Sequence, residues 1–203
     1  SGTVMTTQDI IQLRTEYAAA ALATDVNNYA VSNKLVLAGN TKWTDAAGTP
    51  TKDVEAAKEA VRSQTGRRPD TAVISAKAFA AVKQHPSILD RIKYTGRDSA
   101  TPELLAALWG LKSVAVGDAI YEDNTGTLQD VWGGDVVLSY SAIGSVADRG
   151  RPTYGYTYRL TGYPIVEQPY YDRPSKSWVY PVTDELQPVI AGSGAGFLIK
   201  GAA

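Results

Sequence analysis

The spacing of apolar positions divides the chain into three stretches of different character. Near the start, Ile10, Leu13, Tyr17, Ala20 and Ala21 share one face at helical period, and Thr6 or Thr7 stands where a cap would. This predicts a first helix running to about residue 23. Residues 34–37 read as a brief strand and residues 40–51 as a polar loop. Val54, Ala57 and Val61 then fall three and four apart, predicting a helix over 53–63 that Gly66 and Pro69 terminate. TAVIS at 71–75 is β-branched and short, hence a strand. Residues 76–84 predict a second helix with Phe79 and Val82 inward, stopped at His85-Pro86 because the residue before proline leaves the α region. Ser87 is placed to cap a further turn carrying Ile88, Leu89 and Ile92.

Beyond a loop at 95–99, Thr101-Pro102-Glu103 opens a helix with a cap residue followed by proline. Leu104, Leu105, Leu108 and Trp109 face inward and Gly110 ends it. Strands are predicted over 113–116, 128–132 and 136–140, with a turn at 123–126. The last third alternates. Tyr154, Tyr156 and Tyr158 share one strand face, and Tyr170-Tyr171 with Trp178-Val179-Tyr180 read as a hairpin around 172–177. Strands at 186–190 and 197–200 flank a glycine-rich turn. Helix, mixed α/β middle and β-rich tail together make an α+β chain in which one part is left and re-entered.

Composition narrows the chemistry. With 203 residues, 44% of them apolar, the chain can bury a sizeable core. The net charge of −1 lacks the basic excess of a protein held on nucleic acid by phosphate contacts. Cysteine is absent, which removes disulfides, thiolate metal sites and thiol nucleophiles together. No run approaches the roughly 18 apolar residues of a membrane span. The opening Ser1-Gly2-Thr3-Val4-Met5 lacks the basic run and apolar stretch of a signal peptide.

Candidate catalytic groups are few. His85 is the only histidine, and its place before Pro86 favours capping or packing over general-base work. Residues 192–196 mimic a phosphate loop but lack its Lys-Ser/Thr and a following helix, so a turn is expected. Asp123 with Asp130, or Asp184 with Glu185, are the pairs a glycosidase reading would use, although acidic turn residues are common. Trp43 is expected to anchor its loop on the core. No catalytic, cofactor-binding or metal-binding residue is assigned.

The segments Trp43 to Pro50, Thr65-Gly66-Arg67-Arg68-Pro69, TAVIS, Phe79-x5-His85-Pro86-x3-Asp90-Arg91-Ile92-x-Tyr94, Glu103 to Gly110, Val114 to Gly117, Val131-Trp132-Gly133 and Tyr154-Gly155-Tyr156-Thr157 occur in an order and spacing that resembles a tailed-bacteriophage major capsid protein of the Hong Kong 97-like fold. The resemblance implies a peripheral spine helix and connecting segment over 1–50, a central axial α/β domain over 51–150, and a β-rich return to the peripheral domain over 151–203. The family's N-terminal arm and extended loop are not represented ahead of the first expected helix. The implied function is a non-enzymatic structural head protein of a tailed phage or prophage, located in the virion and assembled in the host cytoplasm. Its implied partners are copies of itself as pentamers and hexamers, then scaffolding protein, portal and maturation protease, with DNA enclosed without sequence-specific binding and no membrane. An encapsulin-like compartment shell shares the resemblance. An α/β hydrolase would instead need a deep polar pocket, and a carbohydrate-binding protein an exposed aromatic platform.

One charge asymmetry bears on self-assembly. Residues 61–100 carry eight Lys/Arg against three Asp, and residues 101–140 one Lys against six acids. Either both are solvated faces that cancel within a subunit, or they serve head-to-tail contact between copies, with Arg67 and Arg68 prominent.

Overall fold

The computed structural model describes residues 33–93, 100–141, 153–162 and 164–203. The helix expected to end near residue 23 and the loop at 95–99 lie outside the described residues.

A five-stranded mixed sheet forms the centre, in the order β1-β13-β6-β2-β3. Its strands are β1 (Lys34–Val36), β2 (Thr71–Ser75), β3 (Ser113–Gly117), β6 (Val136–Ser139) and β13 (Gly196–Lys200). β2 runs parallel to β3 and antiparallel to β6, and β13 joins β6 to β1. The sheet does not follow the segment boundaries expected at 50 and 151. Its outer strand β1 and its inner strand β13 come from the flanking segments. No local signal marks such a pairing, because the two partners are separated by most of the chain.

Strand period assigns the two faces. Ala72, Ile74, Val114, Val136, Leu138, Phe197 and Ile199 lie in the main core. They meet α1 (Pro50–Thr65), α2 (Ala76–Gln84), α3 (Pro86–Ile92) and α4 (Pro102–Trp109), all of which contribute buried residues to that same core. The opposite face carries a smaller cluster, Trp132, Val137 and Leu198, with Val73, Tyr154 and Ile190 packed against it. This explains why Val136, Val137 and Leu138 are all buried although they alternate.

Local rules account for the helices. α1 begins at Pro50, three residues ahead of the expected start, because proline at the first position needs no amide partner. Its stripe Val54, Ala57 and Val61 is fully buried, and Gly66 ends it at φ 69°, a left-handed conformation that suits glycine. α4 starts as expected, with Thr101 Oγ1 accepting from Leu104 N–H at 3.3 Å. The cap of α3 differs from expectation. His85, held extended by Pro86, ends α2 and caps α3, with Nδ1 accepting from Ser87 N–H at 3.3 Å.

The chain from Gly155 to Ile190 leaves this centre as a ribbon of paired strands. β7 (Gly155–Arg159) pairs with β12 (Leu186–Ile190), β8 (Ile165–Val166) with β11 (Val182–Thr183), and β9 (Tyr170–Asp172) with β10 (Ser177–Val179), all antiparallel. A smaller hairpin, β4 (Ile120–Glu122) with β5 (Leu128–Asp130), projects beyond the end of β3.

Candidate functional site

The residues weighed for chemistry are occupied by structure. His85 is buried, and Ser87 Oγ lies 2.8 Å from its Nδ1. Since Nδ1 accepts, Nε2 carries the proton and reaches Asp45 O at 3.2 Å, pinning the loop before α1 to the α2–α3 junction. Trp43 anchors that loop as expected. It is 1% exposed, donates from Nε1 to Asp53 Oδ2 at 2.8 Å, and its ring centroid sits 6.2 Å from that of Trp109. A cavity of about 590 Å³ lies beside this corner, lined in part by Trp43, Ala80, Ala81, His85 and Pro86. The only lysine on its wall, Lys77, is engaged by Asp130 at 2.7 Å.

The carboxylate pairs do not make an acid–base couple. Asp123 accepts from the Thr125 hydroxyl at 2.6 Å and from the Thr125 and Thr127 amides. These bonds stabilise the anion and hold its pKa down to about 2, the opposite of what a proton donor needs. Asp130 faces Lys77, and Asp184 Oδ2 accepts from Arg159 Nη2 at 3.0 Å. Residues 192–196 form a turn, Ser193–Ala195, that leads into β13 with no helix after it. No group of three or more metal-ligating side chains occurs among the described residues. Among them no helix is long and apolar enough to cross a membrane.

What the described residues do present is uncovered apolar surface. Of the twelve large hydrophobics that are exposed, eight lie between Tyr158 and Tyr180 on the ribbon. Near its tip, Tyr171 pairs with Trp178, their rings meeting edge to face at 5.6 Å, and Tyr180 follows just beyond β10. Trp178 is 60% and Tyr180 71% exposed. Among the described residues no third strand satisfies the outer edges of this two-stranded ribbon of about 45 Å, and such a ribbon is marginal in water by itself.

Both ends of the ribbon are rooted in the sheet. Tyr154 O accepts from the Ala191 and Gly192 amides, and Tyr154 N–H donates to Tyr140 O. The Tyr154 ring packs over Gly196, where the close approach leaves no space for a side chain. Burial pushes its phenol pKa well above the ordinary value. Aromatic alternation exposed this strand in the sequence; the packing of Tyr154 onto a glycine in a distant strand had no sequence signal.

The charge asymmetry resolves only in part. Lys77 with Asp130 is one cation–acid pair across the two segments within the subunit. Arg62 binds Glu59, and Lys93 binds Asp90 at 2.6 Å, each inside its own helix. Arg67 and Arg68 remain exposed, with no ion pair among the described residues. They share the starting end of β2 and β3 with Lys112, whose amide reaches Asp70 O.

The chain is 38% identical over 201 residues to the major capsid protein of Burkholderia phage BcepMu, covering 98% of this chain and 65% of that protein. The crystal structure of a phage-related protein from Bordetella bronchiseptica RB50 superposes with a TM-score of 0.85 at 40% identity, covering 95% of this chain and 64% of that one. A candidate capsid protein of an Escherichia coli CFT073 prophage shares the fold, with a TM-score of 0.54 at 16% identity over 95% of this chain and 63% of that one. Residues 5–180 match the family model described as phage major capsid protein E, and the chain belongs to that family. It spans just under two thirds of the length of the BcepMu relative.

Proposed function

We propose that this chain is the shell-forming part of the major head protein of a tailed phage or prophage, with self-association as its activity and no reaction catalysed. The observation that carries the proposal is the ribbon, whose aromatic surface is uncovered within one subunit, in a chain of the phage major capsid protein E family. Copies tile a closed icosahedral shell around double-stranded DNA, as pentamers and hexamers, in the virion. The layout is Hong Kong 97-like. The central sheet and its helices form the axial domain, to which the last residues return. The expected spine helix over the first residues and the ribbon over 153–190 form the peripheral domain. Scaffolding protein, portal and maturation protease act on that assembly, and the DNA is held without sequence reading.

Shell strength comes from many modest contacts. Apolar burial contributes about 25 cal/mol per Å² before the cost of association, so each interface can be weak and the closed shell still stable. The product of the complete reading frame, expressed alone and with its neighbouring genes, should give rings or closed particles in electron micrographs. A product that stays monomeric under both regimes, across salt and concentration, would refute the proposal.

A further inference from the structure

The ribbon is not straight. From Arg159 to Ile165 the outgoing strand advances six residues while the returning strand moves only three, from Leu186 to Thr183. The two pairings are therefore offset by three residues, which breaks the ladder between β7 and β8 and kinks the ribbon. At this kink lies a concavity of about 550 Å³ whose charged lining is Arg159, Asp184 and Glu185. The Asp184 side chain is 8% exposed. Its Oδ2 is satisfied by Arg159, but Oδ1 is buried and has no hydrogen-bond partner. A buried acceptor oxygen left without a donor is costly and calls for one. Glu185 at the concavity, and Glu167 on the far side of the kink, where it accepts from Thr183 Oγ1 at 3.1 Å, are exposed and have no cationic partner among the described residues. With Arg159 already matched to Asp184, the kink carries a surplus of negative charge.

The basic corner Arg67–Arg68 has the opposite surplus; Arg68 helps Arg62 hold the Glu59 carboxyl down, and neither guanidinium makes an ion pair among the described residues. We infer that the kink notch of one subunit receives the Arg67–Arg68 corner of a second copy, a guanidinium supplying the donor that Asp184 Oδ1 lacks. Such a contact joins two different patches and is heterologous, so it propagates from copy to copy and can close a ring. Buried carboxylate–guanidinium pairs of this type set register and partner choice more than raw affinity. The inference rests on the shell-forming reading and names the contact by which it proceeds.

The test uses the product of the complete reading frame. R67E/R68E and E167K/E185K should each lose particles in light scattering and micrographs, with the concentration needed for assembly raised at least about tenfold. Mixing the two variants should restore six-membered rings in micrographs, because around an even ring the reversed corner of one variant always meets the reversed notch of the other. Rescue in the mixture requires a contact between copies and requires both variants to be folded. Either variant assembling like the wild type overturns this contact and leaves the shell-forming reading intact. Two inactive variants that fail to rescue each other overturn it as well. Should either reversal unfold the chain, R67Q/R68Q and E167Q/E185Q replace it. Each should blunt the salt dependence of assembly, and an unaltered salt dependence overturns the contact. A wild-type product that never assembles refutes the underlying reading and this inference together.

Discussion

Gly196→Ala tests how the ribbon is held to the sheet. Gly196 has φ −123° and ψ 159°, extended backbone that alanine adopts readily. Replacing a strand glycine with alanine at a compatible position should stabilise by about 0.5–1 kcal/mol. Here a Cβ would lie 3.0 Å from Tyr154 Cζ and closer still to Cε2 and Cδ2. The ring cannot remain where it is, and overpacking of this type costs about 1–3 kcal/mol. The net expectation is a loss of about 1–2 kcal/mol, or a melting temperature lower by about 2–8 °C for a chain of this size. Tyr154→Ala removes the clash together with the ring's packing on Trp132, Val137 and Leu198, so alone it should cost about 2–3 kcal/mol. In the Tyr154→Ala background, Gly196→Ala should change sign and become neutral or stabilising. Urea titrations of the four proteins close a double-mutant cycle, with an expected coupling of about 2 kcal/mol. A Gly196→Ala protein as stable as the wild type, or a cycle closing to within about 0.5 kcal/mol, would refute the packing described for the ribbon root.

Other perturbations read other parts of the chain. Lys58→Met removes the buried ammonium that donates to Trp109 O at 2.6 Å and binds Glu55 at 2.8 Å; stranding that helix-end carbonyl should cost about 1–3 kcal/mol in thermal melts. Trp178→Ala should leave the isolated subunit within about 1 kcal/mol of wild-type stability, since the ring is 60% exposed, yet lower the yield of particles in light scattering several-fold. Asp135 has its pKa raised by burial, with Gly201 N–H and Lys200 opposing, so its charged form weighs against the fold above that raised value. Asp135→Asn keeps the acceptor for Gly201 and should stabilise at pH 7, the gain vanishing in urea melts below about pH 4. The pKa of Asp123 is lowered from 3.8 to about 2, so its contribution to the turn is complete above the higher value and is lost as pH falls through the lower. The Thr125 and Thr127 amide resonances should shift over that window and should not do so in Asp123→Ala.

Local grammar made the inner part of the fold legible. TAVIS, the stripe Val54–Ala57–Val61, and the Thr101-Pro102 start each combine period with a stop or start signal, and each lies where that signal placed it. His85 illustrates the limit of that grammar. Its position before Pro86 marked a helix end, but which side chain would cap the next helix depended on the extended backbone that proline imposes. The parallel pairing of Lys34–Val36 with Leu198–Lys200 was illegible because strand partners so distant leave no mark in either segment.

The uncovered surface of the ribbon was less legible for a different reason. Tyrosine alternation predicts a strand whether its aromatic face meets the core, a neighbour or water, since period 2 reports conformation and not burial. Tyr154 and Tyr158 belong to the same alternating series. Tyr154 is packed against Gly196 and the smaller core cluster, whereas Tyr158 is 61% exposed. Only the fold separates the residue that roots the ribbon from the one it leaves uncovered. The Asp184 notch is a stronger case. The kink arises from a register offset between segments about twenty residues apart, and a buried carboxylate oxygen without a donor becomes visible only once that offset is known. On the proposed reading, in which the chain works by contact with its own copies, the informative groups are those a single subunit fails to satisfy. Sequence patterns record what a subunit satisfies internally, so the core can be read from them and the contact surface has to be read from what the folded subunit leaves unpaired.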